Sequence, residues 1–211
     1  MANNLPDLSA APRRNRILMT SALLCLLWGC ASRPTSVLLP VADTSPSSSK
    51  VEMLVATTRS RSSNPAEMFT GERGSAPAFA EITVSIPPGD VRKVGEVAWP
   101  KKLPSNPATD FAVLKGEALT PETAKSWLSA SVRKSPDRSV LVFIHGFNNR
   151  FEDSVYRFAQ IAHDSGTGSV PVLVTWPSRG SALPMDTIAR APTTRAMHWK
   201  SCFSILRMIV T

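Results

Sequence analysis

The chain has 211 residues, 43% of them apolar and 19% charged, which is enough for one domain with a packed core. Its net charge of +8 sits largely at the ends: residues 1–30 carry +2, residues 185–211 carry +3, and the body between them only +3. A body this mildly basic lacks the stripe of positive charge that nucleic acid requires, so nucleic acid is not an expected partner. The three cysteines, Cys25, Cys30 and Cys202, lie towards the ends and imply no disulfide framework.

Arg13, Arg14 and Arg16 precede an apolar run from Ile17 to Trp28. The run is short for a membrane span and right for the core of a signal peptide. It ends in "LLWGC", Leu26 to Cys30, which resembles a bacterial lipobox. That resemblance implies a lipoprotein-type signal peptide over residues 1–30 and lipidation of Cys30. It also implies export, anchoring at the periplasmic face of the cell envelope, and the membrane as a partner through the lipid. Each CH₂ buried in the bilayer would contribute about 0.8 kcal/mol. Residues 31–50, rich in Ser and Pro and including "SPSSSK", predict a flexible tether.

The body opens with strand character at Val51–Thr57, followed by a polar loop, "RSRSSNPAEMFTGERG". Phe79–Ile86 alternates and stops at Pro87-Pro88-Gly89. Gly95–Trp99 and Phe111–Leu114 read as further short strands. Thr120 caps a helix that Pro121 begins and that runs to about Arg133. Val140–Ile144 is a continuous β-branched apolar run, which predicts a strand buried on both faces. Phe151, Val155, Phe158, Ala159 and Ala162 return at helical spacing. Ser165 to Gly168 end that helix, and Val170–Trp176 is the next buried strand. The fold class is therefore α/β, with antiparallel opening strands leading into a parallel βαβ unit. Trp99 and Trp176, at strand ends, read as core or rim packing.

His145-Gly146 follows the strand Val140–Ile144 directly. A metal role lacks acidic or histidine partners at ligand spacing, and a phosphate cradle lacks the repeated glycines. A structural histidine beneath a turn, and an oxyanion loop, both remain. "VLVFIHGFNNRFEDSVYRFAQIAHD…PVLVTWPSRGS" resembles the α/β-hydrolase fold. More narrowly, with "MLVATTRS", "NPAEMFTGERG", "VSIPPG" and "GEVAWP", it resembles a bacterial family of α/β-hydrolase-like proteins of unassigned function, often found behind a lipoprotein leader. The resemblance covers roughly Val51 to Ser181. It implies that residues 51–184 form the N-terminal part of an α/β-hydrolase domain, incomplete at the C-terminus. It implies further that the loop after Ile144 lends backbone N–H groups to an oxyanion hole: Phe147 first, Asn148 second. Gly146 would allow the tight turn and His145 would be scaffold.

An oxyanion loop needs a nucleophile, and no glycine has serine two residues on, as the G-x-S-x-G elbow of the fold requires. His163 is expected on the solvent side of its helix, and His198 has no acid or nucleophile arranged around it. After "WPSRGSALP" the sequence changes character. Read from the third base of the Met185 codon, permitted codons give acidic residues early and apolar residues at helical spacing, similar to the segment after "WPSRGS" in the family. The expectation is a one-base shift near Leu183–Met185, an out-of-frame tail over 185–211, and a shortened product. Such a chain would belong to a lineage that hydrolyses acyl bonds of an unknown substrate, yet be inactive as written, since loss of the catalytic groups costs about 10⁶ in turnover. The alternative is a lipid-tethered, non-catalytic envelope module. No cofactor or metal is expected, and an unpaired apolar sheet edge is expected at Val170–Trp176 or its neighbour.

Overall fold

A computed structural model describes residues 34–42 and 45–178. The leader with Cys30, and the tail with His198, lie outside the described residues. Strand β1 spans Ser49–Arg61, β2 Phe69–Ile86 and β3 Ala112–Leu119. Helix α1 spans Pro121–Lys134, strand β4 Val140–Ile144, helix α2 Phe151–Asp164 and strand β5 Val170–Thr175. The five strands form one sheet in the order β3-β2-β1-β5-β4. β1/β2 and β2/β3 are antiparallel, while β1/β5 and β4/β5 are parallel. This is an α/β sheet with the expected antiparallel opening and parallel βαβ unit.

Alternation along the strands sorts the core onto two faces. Leu54 and Ala56 of β1, with Val172 and Val174 of β5, pack with Ala124 and Leu128 of α1. Met53 and Val55, with Leu173, pack with Phe151, Val155, Tyr156, Phe158, Ala159 and Ala162 of α2 on the other face. The Phe143 and Phe158 rings stack at 5.2 Å and 10°. α1 starts as its sequence dictates: the Thr120 hydroxyl accepts the Thr123 amide at 3.2 Å, and Pro121 occupies the first turn.

Four expectations change. The strand at β4 is at the edge of the sheet among the described residues, with Val140 37% and Val142 40% exposed. A continuous apolar run signals burial on both faces, but one sequence cannot say which neighbour supplies it; β5, between β1 and β4, is the interior parallel strand. Much of the polar loop is strand, because Arg59 pairs with Arg73 and Arg61 with Phe69 in an extended hairpin. Most of residues 70–78 stay at least partly exposed, so no apolar alternation marks them. Gly95–Trp99 is not a strand. Gly95 sits at φ +85°, and its amide donates to Asp164 Oδ2 at 2.8 Å, which turns the chain there.

The fourth change concerns the tether predicted over 31–50. From Pro34 to Val41 the chain lies on the domain: Leu38 N–H donates to Ala66 O at 3.0 Å and Val41 N–H to Val113 O at 2.9 Å. Val37 and Leu38 are buried, and the Tyr156 hydroxyl donates to Val37 O at 2.7 Å. Two apolar residues, set among serines and prolines, dock the segment together with these hydrogen bonds. No helix among the described residues is long and apolar enough to cross a membrane.

Candidate functional site

The register of the parallel strands assembles the site. Ala56, Val174 and Ile144 lie in one row across β1, β5 and β4. Arg59, His145 and Trp176, just beyond that row, therefore emerge together at the carboxyl end of the sheet, the end where ligands of open α/β sheets bind.

His145 is 4% exposed. Its ring stacks on Trp176 at 5.0 Å and 11°. The Trp176 backbone N–H donates to its Nε2 at 3.2 Å, and Nδ1 lies 2.6 Å from Gly146 O. These partners fix the tautomer: Nε2 accepts and Nδ1 carries the hydrogen. Burial, joined by the nearby Arg59 charge, pulls the ring's pKa down to about 4. His145 is thus a neutral ring locked between two backbone segments, and the Trp176 indole N–H adds a bond to its carbonyl at 3.0 Å.

The turn that follows is held by its carbonyls. Gly146 O and Phe147 O each accept from Asn149 Nδ2 at 3.1 Å. Asn149 N–H donates to Ser178 Oγ at 3.1 Å, and Asn149 O accepts from Arg59 Nη2 at 2.9 Å. Asn148 takes the left-handed conformation, φ +64°, which asparagine tolerates better than most residues. With the carbonyls engaged, the backbone N–H groups of Phe147 and Asn148 have no acceptor among the described residues. Phe147 is 52% exposed. The turn then enters α2, where the Asp153 carboxylate accepts the Arg150 amide at 3.0 Å and Glu152 adds a second acid to the first turn.

Gly146 faces open space, since a Cβ there would meet nothing within 4 Å, and the positive φ in the turn belongs to Asn148. His163 lies at the end of its helix and partly exposed, as expected: it is in the last turn of α2, about 18 Å along the helix from Phe151, beside Asp164 at 2.9 Å and Arg92 at 3.0 Å. Arg92 pairs with Asp164 there and, with His163, holds its carboxyl far below the usual range. Neither His145 nor His163 is hydrogen-bonded to a serine among the described residues. No group of His, Cys, Asp and Glu among them could hold a metal ion. Trp99 packs on Tyr156 at 5.2 Å.

Arg59 went without a role in the sequence, where only its place in "VATTRSR" marks it. It is 1% exposed. Nη1 donates to Thr70 O at 3.1 Å and Ser178 O at 2.8 Å, Nη2 to Asn149 O, and Nη2 stands 3.4 Å from His145 Nε2. Burial lowers its pKa to about 10, against the upward pull of Glu152 and Asp153, so it stays charged at neutral pH. Beside it lies a cavity of about 180 Å³, lined by Arg59, Glu67, Phe69, Arg150, Glu152 and Ser178 among others. Burial raises the pKa of Glu152.

A mixed α/β sheet with a turn entering a helix at the carboxyl end of a parallel strand is consistent with part of an α/β-hydrolase fold. Residues 120–198 match the family described as an alpha/beta hydrolase of unknown function (DUF900). The match covers α1, β4, the His145 turn, α2 and β5, little more than a third of the chain, and with the sheet it supports membership of the α/β-hydrolase superfamily. It continues beyond Met185, so it lends no support to a change of frame at that point. No curated protein and no solved structure matches the chain.

Proposed function

We propose that this chain carries the anion-stabilising part of an acyl-hydrolase site, built on the turn from His145 to Asn149. The observation that carries the reading is the pair of unpartnered amides at Phe147 and Asn148, on an exposed turn whose carbonyls are pinned back. Charge develops on the carbonyl oxygen when an ester or related acyl bond is attacked. Fixed N–H donors at that point stabilise it with little reorganisation, and losing one costs about 10²–10³ in rate. In this reading His145 and Gly146 are the scaffold of the turn. The general base would be supplied elsewhere, since a neutral ring with both nitrogens engaged has no free lone pair to offer.

The test is titration of the isotope-labelled protein with butyrate, a carboxylate that mimics both the product and the charge of the transition state. The Phe147 and Asn148 amide resonances should shift together and saturate. Amides that stay unmoved while the protein remains folded would end this reading.

The lack of any serine–histidine pair among the described residues favours a second reading, a module that binds acyl or carboxylate compounds without turning them over. A fluorophosphonate probe separates the two: labelling at a serine supports catalysis, and butyrate binding without labelling supports the module. We further propose an envelope location through lipid at Cys30, at the end of the apolar run Ile17–Trp28. A mass increase on the N-terminal cysteine peptide, lost in Cys30→Ser, tests it.

A further inference from the structure

Burying a guanidinium is costly unless its hydrogens find partners. Among the described residues no carboxylate pairs directly with Arg59; its acceptors are backbone carbonyls and one imidazole nitrogen. Its Nε has no partner among them. The three carbonyls belong to three separate segments: Thr70 in the β1–β2 hairpin, Asn149 in the turn before α2, and Ser178 after β5. A fork of fixed N–H vectors can join three chains in this way, whereas an ammonium on a flexible stem cannot hold the same geometry.

Gly74 lies behind the same residue. A Cβ at that position would sit 2.9 Å from Arg59 O, so the hairpin closes on the arginine backbone at a distance only glycine permits. Arg59 is thus fixed from behind by the hairpin and reaches forward to the turn.

We infer that Arg59 is the positioning residue of the His145–Asn149 turn: its guanidinium ties that turn to the hairpin and to the segment after β5, and its charge stands against the two ends of the turn, His145 Nε2 and Asn149 O. The inference rests on the anion-stabilising reading of the turn. The ties hold Asn149, and Asn149 in turn holds the carbonyls of Gly146 and Phe147 away from the outer face of the turn. The charge adds a positive potential where a developing oxyanion, or a bound carboxylate, would sit.

The test compares the wild-type chain with Arg59→Lys, which keeps the charge and loses the fork, and Arg59→Met, which loses both. Butyrate affinity at the Phe147 and Asn148 amides should fall about tenfold or more in Arg59→Met and by a smaller factor in Arg59→Lys. Two readouts need no ligand. The Asn149 amide should exchange with solvent faster in both variants. The His145 ring should titrate at higher pH in Arg59→Met than in Arg59→Lys, because only the methionine removes the charge facing it; a purely structural role would not separate the two. Butyrate binding unchanged in a folded Arg59→Met, or equal His145 titration in both variants, overturns the inference. So does loss of the cooperative melting transition in both variants, which would make Arg59 a residue of the fold alone. A wild-type protein that ignores butyrate refutes the anion-stabilising reading instead, and the exchange and titration readouts still report on Arg59.

Discussion

Acidification should destabilise this domain through His145, between the ring's ordinary pKa and the lowered one. The ring has an ordinary pKa of 6.5 and is held at about 4 in the fold, chiefly by burial. A base whose pKa is lowered on folding binds fewer protons in the native state. Stability is therefore intact above the unfolded value and falls as pH drops from 6.5 towards 4. The full difference corresponds to about 3 kcal/mol; between pH 7 and pH 5 the linkage relation gives a loss of about 2 kcal/mol. Asp164 works at lower pH: held far below the usual carboxylate range, chiefly by Arg92, it loses its contribution only once pH falls below that range. Glu152, raised by burial, has the opposite sign and offsets part of the loss as it takes up a proton. The assay is urea unfolding at pH 7 and pH 5 for the wild type and His145→Gln, whose amide stays neutral throughout. The wild type should lose about 2 kcal/mol more than the variant. Equal losses would show that His145 is not a buried neutral ring, and the tautomer derived from its partners would fail with it.

Other perturbations act on single contacts. Gly74→Ala forces a Cβ to 2.9 Å from Arg59 O, and should cost about 1–3 kcal/mol in urea unfolding; a change under about 0.5 kcal/mol would show that the hairpin gives way freely. Tyr156→Phe removes the donor to Val37 O. It should cost about 1–3 kcal/mol and speed hydrogen exchange at Leu38 and Val41, while unchanged exchange there would mean the segment does not depend on this bond. Val142→Lys places a charge on the edge of β4 that has no neighbouring strand among the described residues, and should lower self-association in sedimentation velocity, with stability within about 0.5 kcal/mol of wild type. Equal association in both proteins would show that this edge is not what brings copies together.

The elements that the sequence announces are those whose signal is local. Helices α1 and α2 have their caps and apolar spacing within one stretch of chain, and β5 has its β-branched run. The turn was legible for the same reason, since His145, Gly146, Phe147 and Asn148 are consecutive and come directly after a strand. The contacts that fix the turn were not legible, because its partners come from far along the chain: Arg59 lies 90 residues before Asn149 and Ser178 lies 29 after it. Even within the turn, sequence reasoning gave the tight backbone to Gly146, the residue with the widest freedom. The left-handed geometry fell on Asn148 instead, where the Asn149 side chain gathers the two preceding carbonyls. The position of β4 shows the same limit from the other side: its composition is that of an interior strand, yet burial is a property of neighbours. Among the described residues, the unpartnered amides and the unpaired edge of β4 lie at one end of the same strand and along its side, and a parallel strand on that edge would bring its own carboxyl-end residues beside Phe147 and Asn148. On the proposed reading, the chemistry of the site would therefore depend on what pairs with β4, and the His145–Asn149 turn is the part that the described residues hold in place by themselves.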